Sequence, residues 1–171
     1  MYKKIVLAIS IIIGIVACNN SNNAPNITAV FAVSKSAENN LSMKINGKEW
    51  IADNGIFGAF DPDGYNKAIL IAGNKGGADK NQQAFNINLY NITTPGQYDI
   101  VEGNDNNSVV QLANITNENY LYGSMMGFTM KINVTKCSKS PSIIEATLTG
   151  ELGGNASDKI LITEGKFSYQ E

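Results

Sequence analysis

Two side chains on which many enzyme sites depend are missing from this sequence. It contains no histidine, so zinc sites and Ser-His or Cys-His nucleophile systems lose their usual ligand or base. It also contains no arginine, the residue that best captures carboxylates and phosphates in a bidentate manner. The sequence therefore predicts a protein that is not an enzyme and has no catalytic residues. A hydrolase that uses paired carboxylates remains an alternative, because such enzymes need only Asp or Glu.

The segment Asp61-Pro62-Asp63-Gly64 is the clearest candidate for a metal site. Alternating carboxylates before a glycine resemble the start of an EF-hand loop, so Asp61 and Asp63 are candidate calcium ligands. A third ligand at the required spacing is missing, and no glutamate follows where a bidentate ligand would fall. Pro62 and Gly64 instead suit an ordinary type I turn. We expect a turn here and no cofactor other than a covalent lipid, with calcium left as an alternative.

Three aromatic residues, Trp50, Tyr120 and Tyr122, are candidates for ligand binding. Tyr120 and Tyr122 are two residues apart, so they share one face of a strand and could form a platform for sugar stacking. The competing interpretation is that Trp50 fills one end of the core while the tyrosines lie between core and solvent, as amphipathic rings do. Packing in the core is the interpretation that we favour.

The charge pattern argues against a nucleic-acid partner. The thirteen basic residues are all lysines, they are scattered, and the formal net charge is −2. Nucleic-acid binding normally needs a basic patch and favours arginine. We therefore expect no nucleic acid among the partners.

The first seventeen residues have the layout of an export signal. Lys3 and Lys4 precede an apolar run over residues 5–17, which as a helix would span about 20 Å. A bilayer core of about 30 Å needs a longer run, and a short basic start before a short apolar core is typical of a cleaved signal peptide. A buried N-terminal helix is the alternative, but Ser10 alone interrupts the run, so the helical polar rhythm is missing.

The tetrad Ile15-Val16-Ala17-Cys18 resembles the cleavage site of bacterial lipoproteins. The resemblance implies that Cys18 becomes the first residue of the mature chain, carries palmitate or similar acyl chains, and holds the protein on a membrane. Two or three acyl chains together give stable anchoring. Asn19 in place of aspartate implies the outer membrane, and the lack of acidic residues directly after Cys18 favours its periplasmic face over the cell surface.

After Cys18 the sequence predicts a tether over residues 18–40 and a folded domain over residues 41–171. The polar start of the tether has no core-forming face, whereas residues 27–33 are apolar and β-prone, so they are either an edge strand or part of the tether. Cys137 has no remaining partner for a disulfide bond, and its role stays open.

From Leu41 onward, apolar and polar residues alternate with a period of two, and turn residues separate the runs. Asn46-Gly47 between two such runs predicts a β-hairpin with a type I′ turn. Further strands are predicted at 56–60, 68–72, 84–90, 97–101, 109–113, 120–123, 127–134, 143–152 and 159–169. Many short strands of this kind indicate an all-β, antiparallel β-sandwich, with an up-and-down β-barrel as the alternative.

Three phrases, MKINGKEWIA, TTPGQYDI and the pair ATLTGEL and ILITEGKFSY, resemble those of Bacteroidetes envelope lipoproteins with uncharacterised β-sandwich domains. The resemblance implies a lipid-anchored protein of the cell envelope. We expect a non-catalytic binding or structural domain with an envelope protein or a glycan as partner. A surface glycan-binding lipoprotein of a nutrient-uptake system is the alternative.

Overall fold

The structure is a computed structural model that describes residues 38–116, 121–123, 129–154 and 157–171. The predicted signal peptide, Cys18, nearly all of the tether including segment 27–33, and Tyr120 lie outside the described residues. Within those ranges, no helix is long and apolar enough to span a bilayer.

The described residues form one antiparallel sheet of eleven strands, so the predicted all-β fold is confirmed. The strands are β1 (Asn40–Ile45), β2 (Lys48–Ile51), β3 (Asn54–Phe60), β4 (Ile69–Lys75), β5 (Gln83–Leu89), β6 (Gly96–Ile100), β7 (Val109–Ala113), β8 (Leu121–Gly123), β9 (Met130–Ser138), β10 (Ile143–Gly154) and β11 (Lys159–Gln170). Their positions follow the period-two pattern of the sequence closely.

The long strand β10 divides the sheet into two layers. One of its edges pairs with β11, while the other pairs with β9 over residues 143–150 and with β8 at Gly153 and Gly154. One layer is therefore β2-β1-β11-β10-β9-β6, and the other is β8-β7-β5-β4-β3. The sheet curls around a single core as a half-barrel, which gives a sandwich-like fold. Its strand order is not the sequential order of an up-and-down barrel.

The core follows from the alternation along the central strands. In β5, Phe85, Ile87 and Leu89 are at most 1% exposed, and the residues between them face outward. Met130 and Ile132 do the same in β9. Removal of such side chains from water contributes about 1.5–3 kcal/mol each, so this shared inward face is what holds the layers together.

The first hairpin forms as predicted. Asn46 and Gly47 adopt φ values of 49° and 78°, which a type I′ turn requires at both central positions. Ile45 consequently pairs with Lys48, and Met43 with Trp50. This register points Trp50 into the core.

Strand β11 contains a β-bulge at Glu164. Pairing advances by two residues from Leu148 to Gly150 on β10 but by three from Gly165 to Ile162 on β11. Glu164 is the extra residue, with φ of 52°, and the insertion keeps Ile162 and Phe167 on the same buried face. The bulge thus corrects a phase change in the apolar alternation of this strand.

Candidate functional site

A cleft of about 280 Å³ lies where β3, the loop after it, the β9–β10 turn and the end of β11 meet. We call it the Phe57 cleft. It is lined by Phe57, Gly58, Ala59, Phe60, Pro62, Asp63, Lys139, Ser142, Tyr169 and Glu171. Aromatic, hydroxyl and charged side chains therefore meet at one place on the surface.

An aromatic pair forms one wall of the Phe57 cleft. The rings of Phe57 and Tyr169 lie 5.8 Å apart between centroids, at an interplanar angle of 58°. Phe57 is nevertheless 46% exposed, because it lies on the outward face of β3. A large aromatic side chain held in position by a neighbour and still exposed to solvent can contact an apolar surface of a ligand.

Close packing of β3 against β11 fixes this pair. A Cβ on Gly58 would lie 2.9 Å from the Cβ of Tyr169, so only glycine allows the observed approach. On the opposite side, the Ser142 hydroxyl donates a hydrogen bond of 3.0 Å to the Gly58 carbonyl. The aromatic wall therefore belongs to the rigid sheet, while its polar neighbours come from the adjoining turns.

Asp63 and Lys139 are charged lining residues of the cleft, and Asp61, the other predicted metal candidate, lies close to Lys139. Lys139 Nζ lies 3.1 Å from Asp63 Oδ1 and 3.8 Å from Asp61 Oδ2. The hydrogen bond with Asp63 raises the pKa of Lys139, and the negative charges of both carboxylates act in the same direction. The ammonium group thus occupies the place between the carboxylates that a cation would take.

In the structure, Asp61 and Asp63 have Lys139 as their charged neighbour. Among the described residues, no group of three or more His, Cys, Asp or Glu side chains is arranged to hold a metal ion. A turn is present but is shifted by one residue from the predicted one, since the Tyr65 amide donates a hydrogen bond of 3.2 Å to the Pro62 carbonyl. Gly64 is then its third residue, and its φ of 85° does not fit the expected type I turn. The expectation that the protein needs no metal stays a prediction.

The same geometry bears on the carboxylate-hydrolase alternative. The Asp61 and Asp63 side chains are 42% and 99% exposed, and both share Lys139. A catalytic acid near neutral pH needs surroundings that keep its carboxyl group protonated, such as an apolar pocket. Solvated carboxylates beside an ammonium group lack that environment, so this pair does not support the hydrolase.

The prediction of Trp50 as a stacking platform was wrong, because its ring is buried in the core. It is 3% exposed, and its ring packs 6.3 Å from that of Phe85, centroid to centroid. Its indole N–H donates a hydrogen bond of 2.8 Å to Gln83 Oε1. Trp50 also lines a cavity of about 290 Å³ beside the first hairpin, but its ring is too deeply buried to serve as a stacking platform.

Tyr122 was also wrong as a surface platform, since its side chain is fully buried. Its hydroxyl donates a hydrogen bond of 2.6 Å to Asp158 Oδ2 and lies 3.4 Å from Thr116 Oγ1. Tyr122 thus packs in the core and is more deeply buried than the competing expectation, which placed the tyrosines between core and solvent. The role proposed for Tyr120 stays a prediction.

The sequence offered one signal that could have identified Phe57. Ile56 and Phe57 are adjacent large apolar residues in a predicted strand, so one of the two must point outward. The partners Tyr169 and Lys139 lie more than eighty residues away and gave no comparable signal. Their convergence depends on how β3 meets β10 and β11.

Comparison of the chain with protein-family models, curated proteins and solved structures gives no match. The resemblance to Bacteroidetes envelope lipoproteins rests on the sequence phrases alone and stays a prediction.

Proposed function

We propose that the protein is a lipid-anchored protein of the cell envelope whose β domain binds a ligand without turning it over. The Phe57 cleft is the observation that carries this proposal. It combines a fixed, exposed aromatic ring with hydroxyl and charged groups, the mixture of apolar and convergent polar groups that is typical of binding sites. Its carboxylates are solvated and share one lysine, an arrangement that favours recognition over catalysis.

A glycan is the ligand class that best fits the Phe57 cleft. The negative face of an aromatic ring attracts the polarised C–H groups on one side of a sugar. Asp63, Lys139 and Ser142 line the same cleft and can exchange hydrogen bonds with sugar hydroxyls. An aromatic ring and convergent polar groups therefore occur together in the Phe57 cleft.

The glycan proposal is tested by titrating neutral oligosaccharides of defined length into the protein by calorimetry. Phe57→Ala should abolish binding or weaken it at least about tenfold, because it removes the ring. Leu161→Ala is a matched control, since Leu161 is equally exposed at 46% but lies outside the cleft. Equal losses in the two variants, or no binding by the unmodified protein, would contradict the proposal.

The same mixtures test the absence of catalysis. We expect no new reducing ends after long incubation of the protein with each oligosaccharide. Product that forms with the unmodified protein and disappears with Asp61→Asn combined with Asp63→Asn would establish the hydrolase instead.

Attachment to the membrane is proposed to occur through Cys18, and the chain provides its own control. Labelled palmitate fed to expressing cells should enter the protein, and Cys18→Ala should prevent this. Cys137→Ala should leave the labelling unchanged, because Cys137 is the only other cysteine. Labelling that survives in Cys18→Ala would refute the anchor.

We place the protein on the periplasmic side of the outer membrane. The absence of acidic residues directly after Cys18 supports this location. Protease added to intact cells should leave the protein uncut, and opening of the outer membrane should permit digestion. Rapid digestion on intact cells would show instead that the protein lies on the cell surface.

A further inference from the structure

The outer face of the six-stranded layer carries a groove that shares no lining residue with the Phe57 cleft. It encloses about 550 Å³ and crosses β6, β9, β10 and β11. We call it the polar groove. It is lined by Gln97, Lys131, Asn133, Thr147, Leu148, Thr149, Glu164, Gly165 and Lys166.

Strand register lines up the polar side chains of this groove in a row. Gln97 pairs with Asn133, Asn133 with Thr147, and Thr147 with Lys166. Adjacent strands lie about 4.8 Å apart, so the row spans roughly 14 Å across the sheet. A linear chain laid across the strands would meet these four side chains in succession.

The charges in the polar groove leave two cations available. Glu164 is engaged by Lys44, whose Nζ lies 2.7 Å from Glu164 Oε1. Lys131 and Lys166 have no ion pair within the part of the chain that the structure describes, although Asp99 is the register partner of Lys131 at the rim. The groove therefore offers local positive charge on a chain whose net charge is −2, which complements an anionic ligand.

The remaining side chains of the polar groove indicate what carries that negative charge. Amides and hydroxyls from Gln97, Asn133, Thr147 and Thr149 face outward, and no aromatic residue is among the lining residues. Leu148 is 2% exposed, so its side chain belongs to the core. Protein and peptide partners usually depend on apolar or aromatic anchors, whereas a hydroxyl-rich chain matches these donors and acceptors.

We propose that the polar groove binds an anionic glycan, an oligosaccharide that carries carboxylate groups. Lys131 and Lys166 contact its carboxylates, while Asn133 and Thr147 exchange hydrogen bonds with its hydroxyls. Glu164 also lines the groove, and its ion pair with Lys44 offsets its negative charge there. This site is additional to the Phe57 cleft and does not depend on it.

The test is fluorescence anisotropy of the full chain with a labelled oligogalacturonate at low ionic strength. A neutral malto-oligosaccharide of equal length and polyglutamate serve as competitors. Lys131→Gln combined with Lys166→Gln should weaken binding at least about tenfold, because two charge-assisted contacts are lost. Lys48→Gln combined with Lys75→Gln is the matched control, since it changes the net charge equally at the cavity beside Trp50.

We expect the control pair to change the affinity less than about twofold and added salt to weaken binding steeply. Equal losses in the two lysine pairs would overturn the proposal, because they would show diffuse attraction instead of a site. Competition by polyglutamate as strong as by unlabelled oligogalacturonate would overturn it in favour of an acidic peptide. Failure of the unmodified protein to bind oligogalacturonate would refute it outright, whatever the Phe57 cleft binds. Thermal unfolding of each variant verifies that the fold is retained.

Discussion

At the residue scale, Gly58 determines how closely β3 can approach β11. Gly58→Ala would place a Cβ within 3.0 Å of atoms of both Phe167 and Tyr169, so we expect it to reduce the free energy of unfolding by about 1–3 kcal/mol. Urea denaturation measures this change. Gly77→Ala is the control, because its nearest heavy atom would be 3.9 Å away and the change should stay below about 0.5 kcal/mol. Equal stability of the two variants would contradict the assigned role of Gly58.

A second residue with a measurable property is Cys137. Burial raises the pKa of its thiol, so less thiolate is present at a given pH in the folded protein than in the unfolded chain. In a Cys18→Ala background, the alkylation rate of the folded protein should therefore rise at higher pH than that of the urea-unfolded protein. Comparing the midpoints of the two pH profiles, instead of absolute rates, removes the effect of access. Coincident midpoints would contradict the shift.

The same thiol links stability to pH with a defined sign. The unfolded thiol loses its proton first, with an ordinary pKa of about 8.5. Between that pH and the higher pKa of the folded thiol, the folded state binds more protons than the unfolded state, so the contribution of Cys137 to stability falls as pH rises through this window. Replacement by alanine removes this dependence.

At the element scale, the bulge of β11 places Glu164 in the left-handed backbone conformation. A left-handed conformation costs a residue with a side chain about 1–2 kcal/mol, and β-branched residues tolerate it least. Glu164→Val should therefore destabilise the domain by more than Lys44→Ala, which removes the exposed ion pair and should cost about 0–1 kcal/mol. Glu164→Gly should change stability little. It removes the cost of the left-handed backbone, and it also loses the ion pair with Lys44.

Thermal unfolding of these three variants separates the cost of the left-handed backbone at Glu164 from the contribution of its ion pair with Lys44. If Lys44→Ala were as harmful as Glu164→Val, the ion pair and not the backbone would account for the cost at this position.

The positions of the strands were predictable because each is a local property of the sequence. The type I′ turn at Asn46-Gly47 follows from the sequence, and the left-handed backbone at Asn91, Asn107 and Asn114 agrees with the tolerance of Asn for this conformation. The bulge at Glu164 was not predicted, although the slip from Ile162 to Phe167 in the apolar alternation was its signal. Which strands pair could not be predicted, since pairing depends on contacts between distant parts of the chain.

At the scale of the whole molecule, the two ends of the described domain support each other. Leu41 pairs with Phe167, and both are buried. Phe167→Ala should cost about 3–5 kcal/mol, a large share of the stability of a domain of this size. Because this contact joins segments that are distant in the chain, we expect Phe167→Ala to lower the stability of the whole domain.

That expectation has a direct measurement. Trp50 is the single tryptophan and is buried, so its fluorescence reports on the core, while far-UV circular dichroism reports on the whole sheet. The two urea transitions should coincide and should both shift to lower urea in Phe167→Ala. Transitions that separate would show that the two layers unfold independently.

The candidate sites were less predictable than the fold for the same reason. Residue type suggested that aromatic rings would form a surface, but it could not distinguish Trp50, which the core needs, from Phe57, which the core leaves outside. The row from Gln97 to Lys166 exists only through the register of four strands. Such a row is a product of topology, and a pattern along the chain does not contain it.

The pairing of β1 with β11 also brings the two ends of the described domain together. The Gln170 amide donates a hydrogen bond of 2.8 Å to Asn39 Oδ1, and the Ser168 hydroxyl donates one of 3.2 Å to the Glu38 carbonyl. A short flexible linker could therefore join residue 171 to residue 38, with new ends opened at the exposed turn around Gly103. Such a circular permutant would keep every strand pairing, and the domain could be inserted as a guest into a surface loop of a host protein.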